Sequence, residues 1–168
     1  MKVARLMRIR PVSLPTHFMR AAALTSFSKL LLAVDLSPLS ESLLHRVRDV
    51  CGDDIDRLHV VHVLTRGMHD PTLCSNGGKD PHAQRMLDHT AMRVRDLLQK
   101  AGLMVPSDRI YLSYGEPACE IKRIADEIDA DLVIVGSHTK DNDWMKLPGA
   151  TTNCVIQGIS SDVMAVKV

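Results

Sequence analysis

The stretch 130-ADLVIVGSHTKDNDWMKLPGATT-152 decides the fold. Leu132, Val133, Ile134, Val135 and Gly136 follow one another without polar alternation, as in a strand covered on both faces of a parallel sheet. A polar loop then closes on Pro148 and Gly149, and a helical run through Ile159 begins where Thr151 or Thr152 can serve as its cap. A glycine at a strand end and another just before a helix leave backbone N–H groups to point at an anion, which the helix dipole favours. The chemistry expected there is a phosphate cradle.

Working outward, the same unit recurs. Residues 29–35 form a first apolar strand that leaves through Asp35, Leu36, Ser37 and Pro38, with Ser37 expected as N-cap and Pro38 at the first helical position. Leu39, Leu43, Leu44, Val47 and Val50 repeat at helical spacing until Cys51 and Gly52. Residues 58–64 are a valine-rich second strand, and residues 65–81 a loop expected to be mobile or disordered. A long helix runs from about Pro81 to Gly102, with Met86, Met92, Val94, Leu97 and Leu98 facing inward. A third strand over residues 109–114, a turn at Gly115 to Pro117, a helix over 118–128 and a final strand over 163–168 complete the series. Strands and helices that alternate five times call for right-handed crossovers and one doubly wound parallel sheet with helices on both faces.

A chain of 168 residues, 45% of them apolar, is one domain large enough to fold without metal or disulfide. Its net charge of +1 is uneven. Residues 1–26 hold five bases and no acid, so the rest carries 16 bases against 20 acids, a balance that argues against nucleic acid as a partner. That basic start reads as a disordered extension or the product of an upstream start codon, with an organellar transit peptide as the alternative. Cys51, Cys74, Cys119 and Cys154 are scattered without CxxC spacing, which suits reduced thiols in the cytoplasm. No apolar run approaches the roughly 20 residues of a membrane helix.

The central loop also carries a resemblance. Nucleotide-binding universal stress proteins have Gly, two residues, Gly, nine residues, Gly and then Ser or Thr. Gly136 and Gly149 stand at the first and third glycine positions, Thr139 at the second, and Ala150 at the Ser/Thr. With LLLAVD at residues 30–35, Leu36 and Ser37 after it, His62 and Val63, and the terminal VMAVKV, residues 27–168 resemble a universal stress protein of the UspA type. The resemblance implies a Rossmann-like sheet of order 3-2-1-4-5, similar to the adenine nucleotide alpha hydrolases. It further implies that Asp35 meets a ribose or adenine edge, that Ala33, Val63 and Val135 line the adenine pocket, and that the chain is a non-enzymatic, dimeric stress-response module. That order reverses its winding between the first and fourth strands, which places a ligand where Asp35 and Gly136 emerge.

The departures predict a weak or empty cradle for ATP, with Mg present only alongside ATP. A β-branched Thr139 where a glycine is expected costs about 1 to 2 kcal/mol and crowds a phosphate oxygen. Ala150 lacks a hydroxyl worth roughly 1.5 to 3 kcal/mol. The combined loss corresponds to roughly 100-fold to 1000-fold in affinity. Thr151 and Thr152 still offer hydroxyls, while Lys140 and Lys146 are offset by Asp141 and Asp143. Asp35 has a second reading as a helix-start cap, and Trp144 either stacks on a base or packs over the crevice. His59 and His62, at i and i+3 of a strand, face opposite ways and cannot chelate together, and His82 and His89 lie two turns apart, so all four read as structural. The alternatives are an adenine-nucleotide hydrolase or transferase, for which His138 after Ser137 is the one candidate base, and a partner-binding protein with a vestigial crevice. The fifth strand, from Val163 to the terminal Val168, is an edge in this order, and its pairing with a second copy predicts a homodimer.

Overall fold

A computed structural model of the protein describes residues 27–51, 55–65, 81–137 and 150–168. Residues 1–26, 52–54, 66–80 and 138–149 lie outside the described residues, and with them the segment expected to be a mobile loop. The elements run β1 (Leu30–Val34), α1 (Ser40–Cys51), β2 (Leu58–Leu64), α2 (Pro81–Lys100), β3 (Ile110–Tyr114), α3 (Pro117–Glu127), β4 (Leu132–Ser137), α4 (Ala150–Ile156) and β5 (Asp162–Lys167). The strands form one parallel sheet in the order β3-β2-β1-β4-β5, as the alternation and the resemblance imply.

Alternate residues of the strands feed two cores. Leu30, Leu32, Val34, Leu58, Val60, Leu132 and Ile134 pack beneath α1 and α2 with Leu43, Leu44, Val47, Val94 and Leu98. Leu31, Val61, Val133 and Val135 pack beneath α3 and α4 with Ala118, Ile121, Ile124, Ala125 and Val155. Burial on both faces is why the three central strands carry apolar runs instead of a period of two.

The amino ends of the central strands are joined by a link that periodicity does not reveal. Asp131, one residue before β4, accepts the backbone N–H groups of Ser28 and Lys29, each at 2.7 Å, just before β1. Burial opposes its ionisation, but these N–H bonds prevail and hold the carboxyl below the usual carboxylate range.

Several boundaries differ from expectation for identifiable reasons. The helix α1 starts at Ser40, later than expected: Leu36 takes φ 59°, Ser40 N–H bonds Ser37 O in a tight turn, and Ser37 Oγ accepts the N–H of Leu39 at 3.3 Å just ahead of the helix. The late start turns Leu39 outward, 44% exposed, and buries Ser40. In α2 the inward stripe is Thr90, Val94 and Leu98, and Met92, two residues or about 200° from Val94, is 60% exposed. Thr151 and Thr152 lie inside α4 and therefore do not cap it, and α4 ends at Ile156, before the positive φ of Gly158.

Candidate functional site

The site begins where β1 and β4 part. Their pairing ends at Ala33 with Val135, whereas β1 stays paired with β2 through Val34 and His62 and β4 with β5 through Ser137 and Lys167, so the two strands part while each keeps its outer neighbour. The chain leaves β1 toward α1 on one face, and α4 covers the other face. This divergence at a reversal of strand order is the crevice at which doubly wound sheets take ligands.

Ala33, Val63 and Val135 fall on the face shared with α3 and α4. Val135 is buried, but Ala33 and Val63 are only half-buried, although Leu32, Val34 and Val60 on the opposite face of the same strands are fully covered. Apolar surface is thus left beside the crevice, as a flat ring would require. Asp35 lies at the mouth, exposed, and its Oδ1 accepts the N–H of Ser37 at 2.9 Å and the hydroxyl of the buried Ser40. Asp35 thus bonds a neighbouring backbone N–H and a buried hydroxyl at the entry to α1, and these bonds fix its carboxylate at the crevice rim. Ser40 was not singled out from the sequence because a serine on the apolar side of a helix carries no periodic signal.

Gly136 has a packing role. A Cβ built there would lie 3.3 Å from Leu43 Cδ2 and 3.6 Å from Val168 Cγ2, so its absence lets α1 and the C-terminus close over β4. Its carbonyl accepts the Thr152 hydroxyl at 3.1 Å, which ties the first turn of α4 to the strand end. Ala150 and Thr151 are exposed at the start of that helix. Thr139 and Gly149, with Lys140, Lys146, His138 and Trp144, lie outside the described residues.

The histidines divide as strand geometry requires. His62 is buried, with Nδ1 2.8 Å from Val34 O, to which it donates. Burial holds its pKa below the usual value despite that bond and the nearby Asp35, so the ring is neutral at pH 7. His59, on the other face, stacks on Tyr111 with ring centroids 5.9 Å apart. No group of three or more metal-ligating side chains converges among the described residues. A second polar cluster lies at the carboxyl end of the edge strand β3, with β2 between it and β1. Ser113 donates to Glu120, which also accepts from Arg123 at 3.0 Å, so every member has a partner within the cluster. An open depression of about 700 Å³ lined by Phe27, Asp129, Asp131, Ser160 and Asp162 lies at the opposite, amino end of the sheet, away from this chemistry. No helix among the described residues is long and apolar enough to cross a membrane.

Comparison with known proteins bears on this geometry. The sequence profile of the Universal stress protein family matches residues 26–167. Universal stress protein A homolog 1 of Coxiella burnetii is 27% identical over 142 residues, 83% of this chain and 96% of the relative. Among solved structures, a hypothetical protein whose structure served as a test case for assigning biochemical function superimposes with a TM-score of 0.59 at 25% identity, over 84% of this chain and 96% of its own. The universal stress protein from Archaeoglobus fulgidus in complex with dAMP aligns with a TM-score of 0.51 at 20% identity, over 83% of this chain and 97% of its own. With sheet order, crevice and sequence profile in agreement, this chain belongs to the universal stress protein family.

Proposed function

We propose that the protein is a non-enzymatic, cytoplasmic stress-response module whose crevice between β1 and β4 takes an adenine nucleotide weakly. The observation that carries this reading is the parting of β1 and β4 beside half-buried Ala33 and Val63, with Asp35 held at the rim. Ala33, Val63 and Val135 take the base, and Asp35 accepts from a ribose hydroxyl or the adenine amino group. A monophosphate such as the dAMP of the Archaeoglobus relative asks less of the loop than ATP with Mg does. Thr139 and Ala150 weaken the contacts a β- and γ-phosphate would need. The exposed, unpaired Cys119 and Cys154 suit a reducing compartment.

Calorimetry on wild type and on the double variant Thr139→Gly, Ala150→Ser tests the reading. Restoring both positions is expected to tighten ATP binding by roughly 100-fold or more. Micromolar ATP binding by wild type that the double variant leaves unchanged would overturn it.

The module acts as a dimer through β5, an edge strand in the sheet order. An antiparallel two-fold pairing centred between Met164 and Ala165 sets Asp162 against Lys167 of the partner subunit and satisfies the edge in both copies.

A further inference from the structure

Among the described residues, two thiols are exposed and outside any disulfide: Cys119 in the first turn of α3 and Cys154 in α4. The two helices lie side by side on one face of the sheet. Two hydrogen bonds fix their register, from Lys122 Nζ to Gln157 O at 2.8 Å and from Ser160 Oγ to Asp126 Oδ1 at 2.7 Å. Cys119, Lys122 and Asp126 are spaced i, i+3 and i+7, which makes them one stripe of α3. Cys154 precedes Gln157 by the same three residues that separate Cys119 from Lys122. Each thiol thus lies about one turn before the Lys122–Gln157 bond on its own helix.

Packed helix axes lie about 8–10 Å apart and Cα atoms about 2.3 Å from each axis, so facing Cα atoms approach to roughly 3.5–5.5 Å and flanking ones lie somewhat farther apart. A disulfide needs about 4.4–6.8 Å. Ala118, Ile121 and Ala125 of α3, with Thr152 and Val155 of α4, take the buried positions, which leaves the thiols on the outer side where a small oxidant reaches them.

We propose that Cys119 and Cys154 form a reversible disulfide under hydroperoxide and so clamp α3 to α4. The Cys154 thiolate attacks the terminal oxygen of the hydroperoxide and breaks the O–O bond. Hydroxide or alkoxide leaves and takes up the proton that the Cys154 thiol released on ionising, and Cys154 becomes a sulfenic acid. The Cys119 sulfur then attacks the Cys154 sulfur; the S–S bond forms, the S–O bond breaks, and hydroxide departs with the Cys119 proton as water. Two thiols are oxidised and one peroxide is reduced. The Glu116 carboxylate, bonded to Cys119, pushes that thiol up, which disfavours Cys119 as the first nucleophile. Because Thr152 of α4 is bonded to Gly136 O, the clamp also braces the end of β4.

The test treats the full chain with hydrogen peroxide, alkylates the remaining thiols and maps unreduced peptides from the monomer band of a non-reducing gel. The expected product is a Cys119–Cys154 linked peptide that dithiothreitol reverses and that Cys119→Ser and Cys154→Ser each abolish. A thermal midpoint raised by roughly 5 °C or more should accompany it, since the bridge closes a loop containing all of β4. Recovery of the two cysteines as free thiols, as sulfinic or sulfonic acids, or linked only to Cys51, Cys74 or a second chain would overturn the proposal.

Discussion

At the scale of single residues, the rim of the crevice is held by short-range polar bonds. Asp35 is fixed by Ser37 and Ser40, and Val34, just before it, by the His62 ring. The His62 bond has a consequence for pH. Burial lowers the folded pKa of His62 below 6.5, the unfolded value, so between those two values the unfolded chain binds a proton that the folded chain refuses. The stability from neutral His62 is complete above about pH 6.5 and erodes as pH falls toward the folded value. His62→Gln keeps an N–H donor without a titrating group. Between pH 7.5 and 5.5 wild type is expected to lose more stability than the variant, by up to about 1.4 kcal/mol per pH unit within the window. Equal losses in chemical denaturation would show that His62 is not the group responsible. These contacts were only partly legible in sequence: the positions of Asp35 and His62 were, but the Ser40 bond depends on where α1 begins.

At the scale of elements, strands were read more accurately than helix ends. The continuous apolar runs of β1 and β4 mark buried strands directly, because both faces need apolar side chains. Helix starts depend on local turns with weaker signatures, and the left-handed Leu36 delays α1 in a way that Ser37 and Pro38 do not announce. The end of α2 was legible because glycine takes the left-handed position after a helix without strain. Gly102 takes φ +74°, its N–H bonds Gln99 O at 2.9 Å, and Leu103 N–H bonds Leu98 O at 2.9 Å. Asp129 closes α3 with the same pair of bonds at φ 49°, a position where the sequence offered no glycine to read. Gly102→Ala is expected to destabilise by about 1 to 2 kcal/mol, from the positive φ and from a Cβ 2.7 Å from Arg48 Nη1. Unchanged urea denaturation would mean that α2 ends equally well without glycine.

At the scale of the whole molecule, the alternating pattern makes the parallel sheet legible, and the family resemblance its strand order. The occupancy of the crevice was not legible, because it turns on Thr139 and Ala150 in an otherwise well-spaced loop. Assembly is testable through the β5 edge. Wild type is expected to sediment as a dimer at tens of micromolar, and Ala165→Pro, which removes a backbone donor and stiffens the edge, to shift it toward monomer. A monomeric wild type would refute the pairing. The central claim is that the crevice between β1 and β4 takes adenine nucleotide. It is tested most directly by titrating AMP, and then ATP with Mg, into isotopically labelled protein and following assigned amide and methyl resonances. The predicted result is saturable shifts at Ala33, Asp35, Val63, Val135 and Gly136, with millimolar to high-micromolar midpoints and little response at the amino-end depression around Asp129 and Asp162. Shifts confined to that opposite end, or none at millimolar nucleotide, would contradict it.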